Sequence, residues 1–400
     1  MLTPGAAEKI ILDSLAMLPA EDCPLAQAAG RILRQEVTAD RDFPPFDRVT
    51  MDGFALRHAA WVAGRREFII AGMQPAGAPA QTLTCDEACI EVMTGAMRPI
   101  GADTVVPYED TQSGSGRMTV RAQMKLESGS SIHRRGSDHR AGDAVLAAGT
   151  RLGGGEIAVA AACGATTLPV ARRVRITVVA TGNELVAPDA MPAAHQIRRS
   201  NDYALAAALT LAGQPPVAQL HLPDDPAVLA GQLRAILADS DLVVLCGGVS
   251  AGKRDFLPGV LAGLGVEKKF HGIAQRPGKP LWFGFAPAGV PVFALPGNPV
   301  SAYTCLHRYV LPALEKMSGA KPTPVRLAAL TAPFVFRPPL ARLLPVRLRS
   351  GPRAELLAEP ADTNTSGDLA GLTGTDGFIE LPAGPGEFPA GYVAQFRPWV

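Results

Sequence analysis

The sequence predicts a multidomain protein of the α/β class with β-rich domains beside it. Its centre reads as a doubly wound parallel sheet and its end as a small closing β-barrel or sandwich. Three observations predict this. The chain has 400 residues, more than a single hydrophobic core usually serves. From Arg172 to Gly319 apolar runs and helical stretches alternate, which is the texture of βαβ units. On either side the pattern is short and strand-like, and the 41 glycines and 36 prolines suit tight turns rather than a helical bundle.

Taken in order, MLTPGAAEKIILDSLAML reads as an amphipathic helix. It has early acidic residues and no small-residue cleavage site, so it does not read as a signal peptide. CPLAQAAGRIL reads as a second short helical stretch. In RDFPPFDRVTMDGFALR the two prolines force extended backbone and Asp52-Gly53 marks a turn. REFIIAG, ACIEVMTG, DTVVPYED and RMTVRAQ then predict a small β-rich module reaching about Arg140, followed by short pieces in DAVLAAGTRL and GGEIAVAAACG.

ARRVRITVVATGNEL predicts a strand buried on both faces. Ser200-Asn201 is placed to cap a helix through DYALAAALTLAG that Gly213 ends. VAQLHL is the next strand, and DDPAVLAGQLRAILADS the next helix, with Pro226 in its first turn. DLVVLCGGVS is a strand running into a glycine loop; IAQRPGKPLWFGF, VFALPGNP and the helix VSAYTCLHRYVLPALEKMSG follow. After Ala320, VRLAAL, FVFRPP, LLPVRLRS, AELLAEP, GFIELPAG and YVAQFRPWV predict the terminal β domain.

Composition excludes several classes. With 47% hydrophobic and 19% charged residues the chain is globular rather than disordered. A net charge of +1 offers no global field for nucleic acid or anionic membrane. No apolar run approaches a membrane span, so a cytoplasmic protein is expected. The six cysteines form no zinc set and read as ordinary thiols in a reducing compartment.

Chemistry is expected where the parallel strands end, because ligands bind beyond their carboxyl ends. Gly247, Gly248 and Ser250 form a loop whose N–H groups and hydroxyl suit an anion. Pro296, Asn298, Pro299 and Ser301 belong to a rigid loop opening a helix, with Asn298 placed to cap it and Pro299 at its first position. Arg276 and Lys279 put two cations on one turn, which suits a phosphate or another oxyanion. Carboxylates recur in the other loops at Asp52, Asp138, Glu184, Asp224 and Asp255; several together on one sheet edge would suit a hard cation such as Mg²⁺. No Ser-His-Asp grammar is present, and His271 and His307 read as structural or surface residues.

The stretches PPFDRVTMDGFALR, VMTGAMRPIGADTVVPYED, RRGSDHRAGDAVLAAGTRL, VVATGNELV, IRRSNDYAL, GGVSAGKRDF, RPGKPLWFG and LPGNPVSA resemble, in order and over roughly residues 1–320, the molybdopterin molybdenumtransferase family of MoeA-like proteins and the E domain of gephyrin. The resemblance implies four domains. These are an elongated domain I (residues 1–45 and 141–170), an inserted β-rich domain II (46–140), a doubly wound molybdopterin-binding domain III (171–320) and a C-terminal β-barrel domain IV (321–400). It implies a homodimer whose site lies between domains III and IV of one subunit and domain II of the other. The implied reaction takes adenylated molybdopterin and molybdate to molybdenum cofactor and AMP, with Mg²⁺ or another divalent cation. The adenylyltransferase of the preceding step and apo-molybdoenzymes are implied as possible partners.

Carried over residue by residue, the family's functional positions fall on Asp52, Thr94, Asp138, Glu184, Asp224, Asp255, Arg276, Lys279, Pro296, Pro299 and Ser366. Glu184, Asp224 and Asp255 would hold the cation or orient the attacking oxygen. Arg276 and Lys279 would bind molybdate or phosphate charge, Gly247, Gly248 and Ser250 would cradle a phosphate, and the partner subunit would lend Asp52, Thr94 and Asp138. Such chemistry depends on positioning and charge neutralisation more than on a protein nucleophile.

The chain departs from the family pattern at Asn183, where an aspartate is usual, and at Cys246 and Lys253. Gly272 and Pro345 replace a common lysine and an arginine. Alternatives are the adenylyltransferase itself, a non-catalytic cofactor-binding or scaffold protein of the same fold, and tungstate in place of molybdate.

Overall fold

A computed structural model describes every residue except 122, 215–216, 250–255, 362, 364, 385 and 400. Ser250, Lys253 and Asp255 therefore lie outside the described residues. The central domain alternates strand and helix through β1 (Ile176–Thr181), α1 (Asn201–Leu211), β2 (Ala218–Leu222), α2 (Pro226–Asp239), β3 (Leu242–Cys246), α3 (Leu257–Gly263), β4 (Glu267–His271), β5 (Trp282–Phe285), β6 (Pro291–Leu295) and α4 (Pro299–Cys305). Among the described residues they form a six-stranded sheet in the order β2-β1-β3-β6-β5-β4. β2, β1, β3 and β6 are parallel, whereas β5 and β4 add an antiparallel edge to the expected parallel sheet.

The two faces of this sheet feed two cores, as alternation along a strand requires. Val178, Val244 and Phe293 join one core with Leu205 and Leu209 of α1. Val179, Val243 and Val292 join the other with Leu229 and Leu233 of α2. Asp225 caps α2, its carboxylate accepting from the N–H groups of Ala227 and Val228 at 2.9 Å, with Pro226 in the first turn. Ser200 occupies the N-cap of α1 but makes no side-chain capping bond.

The helix after β6 runs on through a π-helical turn, Leu306–Val310, into Leu311–Ser318. Pro312 brings no N–H to the helix ladder, and the wider turn precedes it directly. Arg308, on that turn, is 2% exposed and pairs with Glu8 of the N-terminal helix Pro4–Ser14 at 2.7 Å and with Glu380 at 2.8 Å. Glu8 also meets Arg397 at 3.0 Å. Three parts of the chain are thus pinned at one point. The N-terminal helix packs Ala7 and Ile11 into the core shared by Val178 and Phe293.

The second helical stretch expected at CPLAQAAGRIL is not a helix. Ala20–Pro24 is a strand paired antiparallel with Thr167–Ala171, and only a short 3₁₀ turn, Leu25–Gln27, follows. The distant strand captures the backbone that local propensity assigns to a helix. Val37–Thr38 likewise pairs with Ala144–Leu146, so chain before and after the β-rich module is joined. Among the described residues that module has a six-stranded sheet containing Gly53–Leu56, Glu67–Gln74, Ala88–Val92 and Thr104–Pro107. The terminal domain closes as a barrel, because Ala341–Ser350 pairs with both Leu356–Pro360 and Gly377–Leu381 while Arg326–Leu330 and Val393–Pro398 complete the ring. No described helix is long and apolar enough to cross a membrane.

Candidate active site

The carboxyl ends of β1, β2, β3 and β6 open onto a cavity of about 830 Å³. Its lining includes Glu184, Asp224, Gly247, Gly248, Arg276, Lys279, Pro296, Asn298, Pro299 and Ser301, with Ser366 from the terminal barrel domain. The structure therefore brings together most of the residues singled out in the sequence.

Each wall has a local cause. Beyond β1, Glu184 folds its carboxylate over Gly182, so that both oxygens lie 2.7 Å from where a Cβ would stand. Asn183 is tied to the next loop: its Oδ1 accepts the N–H of Asp224 at 3.0 Å. The amide at this position thus makes a bond that a carboxylate would also accept, and it lowers only the charge. Beyond β3, Gly247 has φ +104°, and a Cβ there would meet the carbonyl oxygen of Thr181 at 2.6 Å. Only glycine allows the two loops this approach. Burial pushes the Cys246 thiol up to about 12, so it stays neutral beneath the cavity floor.

The basic turn is held from below. Buried Gln275 donates to the Pro277 carbonyl at 3.1 Å and accepts from the Tyr309 hydroxyl. Gly278, at φ +90°, packs so tightly on Cys305 that a Cβ would lie 2.3 Å from its sulfur. Arg276 and Lys279 are exposed on this rigid turn and form no ion pair with a described residue. Asn298 holds the N-cap position of α4 with Pro299 in the first turn, yet its side chain makes no capping bond. It donates instead to the Ser366 hydroxyl at 2.7 Å, and the Ser366 carbonyl accepts the N–H of Val300 at 3.0 Å. The expected cap is thus a clamp between the central and terminal domains.

Three expected site residues do not line this cavity. Asp52 accepts from the N–H and hydroxyl of Thr94 at 2.6 and 2.9 Å, which hold its carboxyl below its ordinary value. Asp138 lies 2.8 Å from His133 Nε2. All three belong to the chain between the two halves of the first domain, so one chain alone does not gather the whole set. Among the described residues no group of three or more His, Cys, Asp or Glu side chains is placed to hold a metal. Glu184 and Asp224 share the cavity, but the expected third member, Asp255, lies outside the described residues.

The structure also adds residues that sequence reasoning missed. Leu185–Val186 pairs in parallel with Ile197–Arg198, which returns Arg198, Arg199, Asn201 and Asp202 to the cavity wall. The signal was the stretch IRRSNDYAL, read as a helix start and as one of the family-like stretches, with none of its residues singled out for the site. Of the positions that depart from the family pattern, Gly272 does not line the cavity, whereas Pro345 lines an adjoining recess of about 220 Å³ together with Arg276, Arg342 and Ser366.

Comparison with known proteins places this architecture. Family models match residues 2–164 (MoeA N-terminal region, domain I and II), 177–316 (probable molybdopterin binding domain) and 328–399 (MoeA C-terminal region, domain IV). A molybdopterin molybdenumtransferase of Synechocystis sp. is 39% identical over 371 residues, covering 92% of this chain and 93% of its own. One of Synechococcus elongatus is 32% identical over 413 residues, with 99% of each covered. The crystal structure of a molybdopterin biosynthesis MoeA protein from Pyrococcus horikoshii superposes with a TM-score of 0.82 at 28% identity, covering 100% of this chain and 99% of that one. Relatives that match along the whole length, including the flanking regions, do not favour the adenylyltransferase alternative. By sequence along nearly its entire length and by fold, the chain belongs to the molybdopterin molybdenumtransferase family.

Proposed function

We propose that the chain inserts molybdate into adenylated molybdopterin, releasing AMP and molybdenum cofactor. One observation carries this reading. A single cavity holds two cations that pair with no described residue, Arg276 and Lys279, together with the carboxylates of Glu184 and Asp224 and a hydroxyl from a second domain, Ser366. The cations suit molybdate and phosphate oxygens. Ser366, clamped to Asn298, presents a donor across the same opening.

Glu184 and Asp224, with Asp255, would hold Mg²⁺ or a similar divalent cation. Two carboxylates sharing a cavity with a phosphate substrate fit an ion that keeps several waters and binds through one or two carboxylates. When bound, the ion supplies charge neutralisation at the phosphoanhydride. The protein's own part is positioning: the rigid Arg276–Lys279 turn orients the oxyanion, and Glu184 orients the attacking oxygen.

The reading includes a homodimer in which Asp52, Thr94 and Asp138 of one subunit complete the cavity of the other, which accounts for their distance from it within one chain. It also includes a cytoplasmic location, and encounters with the adenylyltransferase that supplies the substrate and with apo-molybdoenzymes that receive the product.

The test is turnover of purified protein with adenylated molybdopterin, molybdate and Mg²⁺, following AMP release and reconstitution of an apo-molybdoenzyme. Molybdate-dependent AMP release that Glu184→Ala abolishes is the expected result. Tight binding of the adenylated pterin without release would overturn the reading in favour of a carrier or scaffold.

A further inference from the structure

The cavity has a second character that Arg276 and Lys279 do not explain. Asp202, in the first turn of α1, is 0% exposed, and neither of its carboxylate oxygens has a hydrogen-bond partner among the described residues. Among the described residues its ion-pair partner is Arg199, whose Nη1 is 3.7 Å away, beyond hydrogen-bond length, and whose Nε is itself buried without a partner. Thr181, 4% exposed at the end of β1, has a buried hydroxyl with no partner among the described residues. Asn201 Oδ1 likewise has no partner among the described residues.

The orientation of that amide is fixed. Its Nδ2 donates to the Gly297 carbonyl at 2.7 Å, an atom that only accepts, so Oδ1 must face the other way. All three residues line the cavity. Buried acceptors left without donors are costly and rare in folded proteins, and persist where a ligand satisfies them.

What they would take follows from their chemistry. A carboxylate beside an amide oxygen repels phosphate and molybdate, which are themselves acceptors. It matches a ligand edge that carries two adjacent N–H donors. The 2-amino and N3–H groups of a pterin form such a fork, and a carboxylate accepts a fork in bidentate fashion. Adenine offers a donor beside an acceptor at its amino edge and fits a carboxylate poorly.

We propose that Asp202, flanked by Asn201 and Thr181, recognises the amino-pyrimidinone edge of the substrate's pterin. This rests on the proposed function for the identity of the substrate, and it divides the cavity into an anion end at Arg276 and Lys279 and a pterin end at Asp202. The competing role is structural, because an acidic residue near a helix N-terminus favours the helix dipole.

The test uses the full-length protein and two fluorescent probes, pterin and lumazine; lumazine carries a carbonyl where pterin carries the 2-amino group. Titration is expected to show wild type preferring pterin by at least about tenfold, because a group built to accept from an amine meets an oxygen instead. Asp202→Asn keeps the shape and offers a donor beside an acceptor, so the preference is expected to vanish or invert. Asp202→Ser, without the fork, is expected to bind both probes weakly and equally. Circular dichroism and melting temperature report whether either variant is folded.

Unchanged discrimination in folded Asp202→Asn, or binding of neither probe by wild type, overturns the proposal. If wild type meanwhile releases AMP in a molybdate-dependent way, the proposed function stands and only the pterin assignment falls. Pterin discrimination lost in Asp202→Asn, with no AMP release by wild type, has the opposite meaning.

Discussion

Acidification should loosen the joint between the central and terminal domains, through His307. This side chain is 4% exposed on the π-helical turn. Its Nδ1 lies 2.9 Å from the Tyr303 carbonyl, and its ring packs against Tyr303 and Trp399 at centroid distances of 4.4 and 4.9 Å. Burial lowers its pKa from 6.5 to about 4, against the raising effect of the Tyr303 carbonyl. The unfolded chain therefore takes up the proton first as pH falls. The stability that neutral His307 preserves is complete above about pH 6.5 and is lost progressively down to pH 4.

A shift of about 2.5 units at ~1.4 kcal/mol each amounts to about 3 kcal/mol, of which roughly 2–3 kcal/mol is gone by pH 4.5. Urea unfolding of wild type and His307→Phe at pH 7 and pH 4.5, followed by tryptophan fluorescence, isolates this share from that of the other titrating groups. The variant should lose about 2–3 kcal/mol less than wild type between the two pH values. Equal losses in the two proteins would refute the argument.

Three further outcomes are expected. Gly278→Ala adds a Cβ 2.3 Å from the Cys305 sulfur at φ +90°; strain of about 1–3 kcal/mol on the basic turn should raise the KM for molybdate about 5- to 100-fold, and adding Cys305→Ala should restore only part of it, since the φ remains. Arg308→Met leaves Glu380 without its arginine and Glu8 with Arg397 alone, and should cost about 3 kcal/mol in urea unfolding, with partial recovery on adding Glu380→Gln; a double variant no more stable than the single one would show that the charge is not the cause. Mixing inactive Asp52→Ala with inactive Glu184→Ala protein under subunit exchange should restore AMP release to about a quarter of wild type, because half the dimers then carry one intact composite site. Sites contained within one chain would stay dead in that mixture.

The central domain was legible because its signals are local. Six consecutive buried residues in Ile176–Thr181, the capping Asp225-Pro226 pair and the loops ending four strands can all be read without tertiary knowledge. What was not legible depends on distant chain. Ala20–Pro24 is a strand because Thr167–Ala171 lies beside it, and no window around Cys23 contains that fact. Asn298 is a good local cap, but Ser366 arrives from 68 residues away and takes its side chain. Asp202 reads as an ordinary first-turn acid, and only the fold shows that its oxygens are buried without partners beside the cavity. The basic part of the site was visible because Arg276 and Lys279 share one turn. The acceptor-rich part is assembled from the end of β1 and the start of α1, which the sequence separates by some 20 residues.

The seating of the N-terminal helix bears on how the polypeptide emerges from the ribosome. Ala7 and Ile11 are made long before Phe293, Tyr309 and Met317, yet they share a core with them. At roughly 5–20 residues per second, the helix waits on the order of 15–60 s before its apolar face can be covered. During that time the inserted β-rich module can fold on its own nearby contacts. This early segment is therefore among the last to be sealed, and nascent chains stalled before about residue 290 would display an uncovered apolar stripe to whatever holds unfinished proteins.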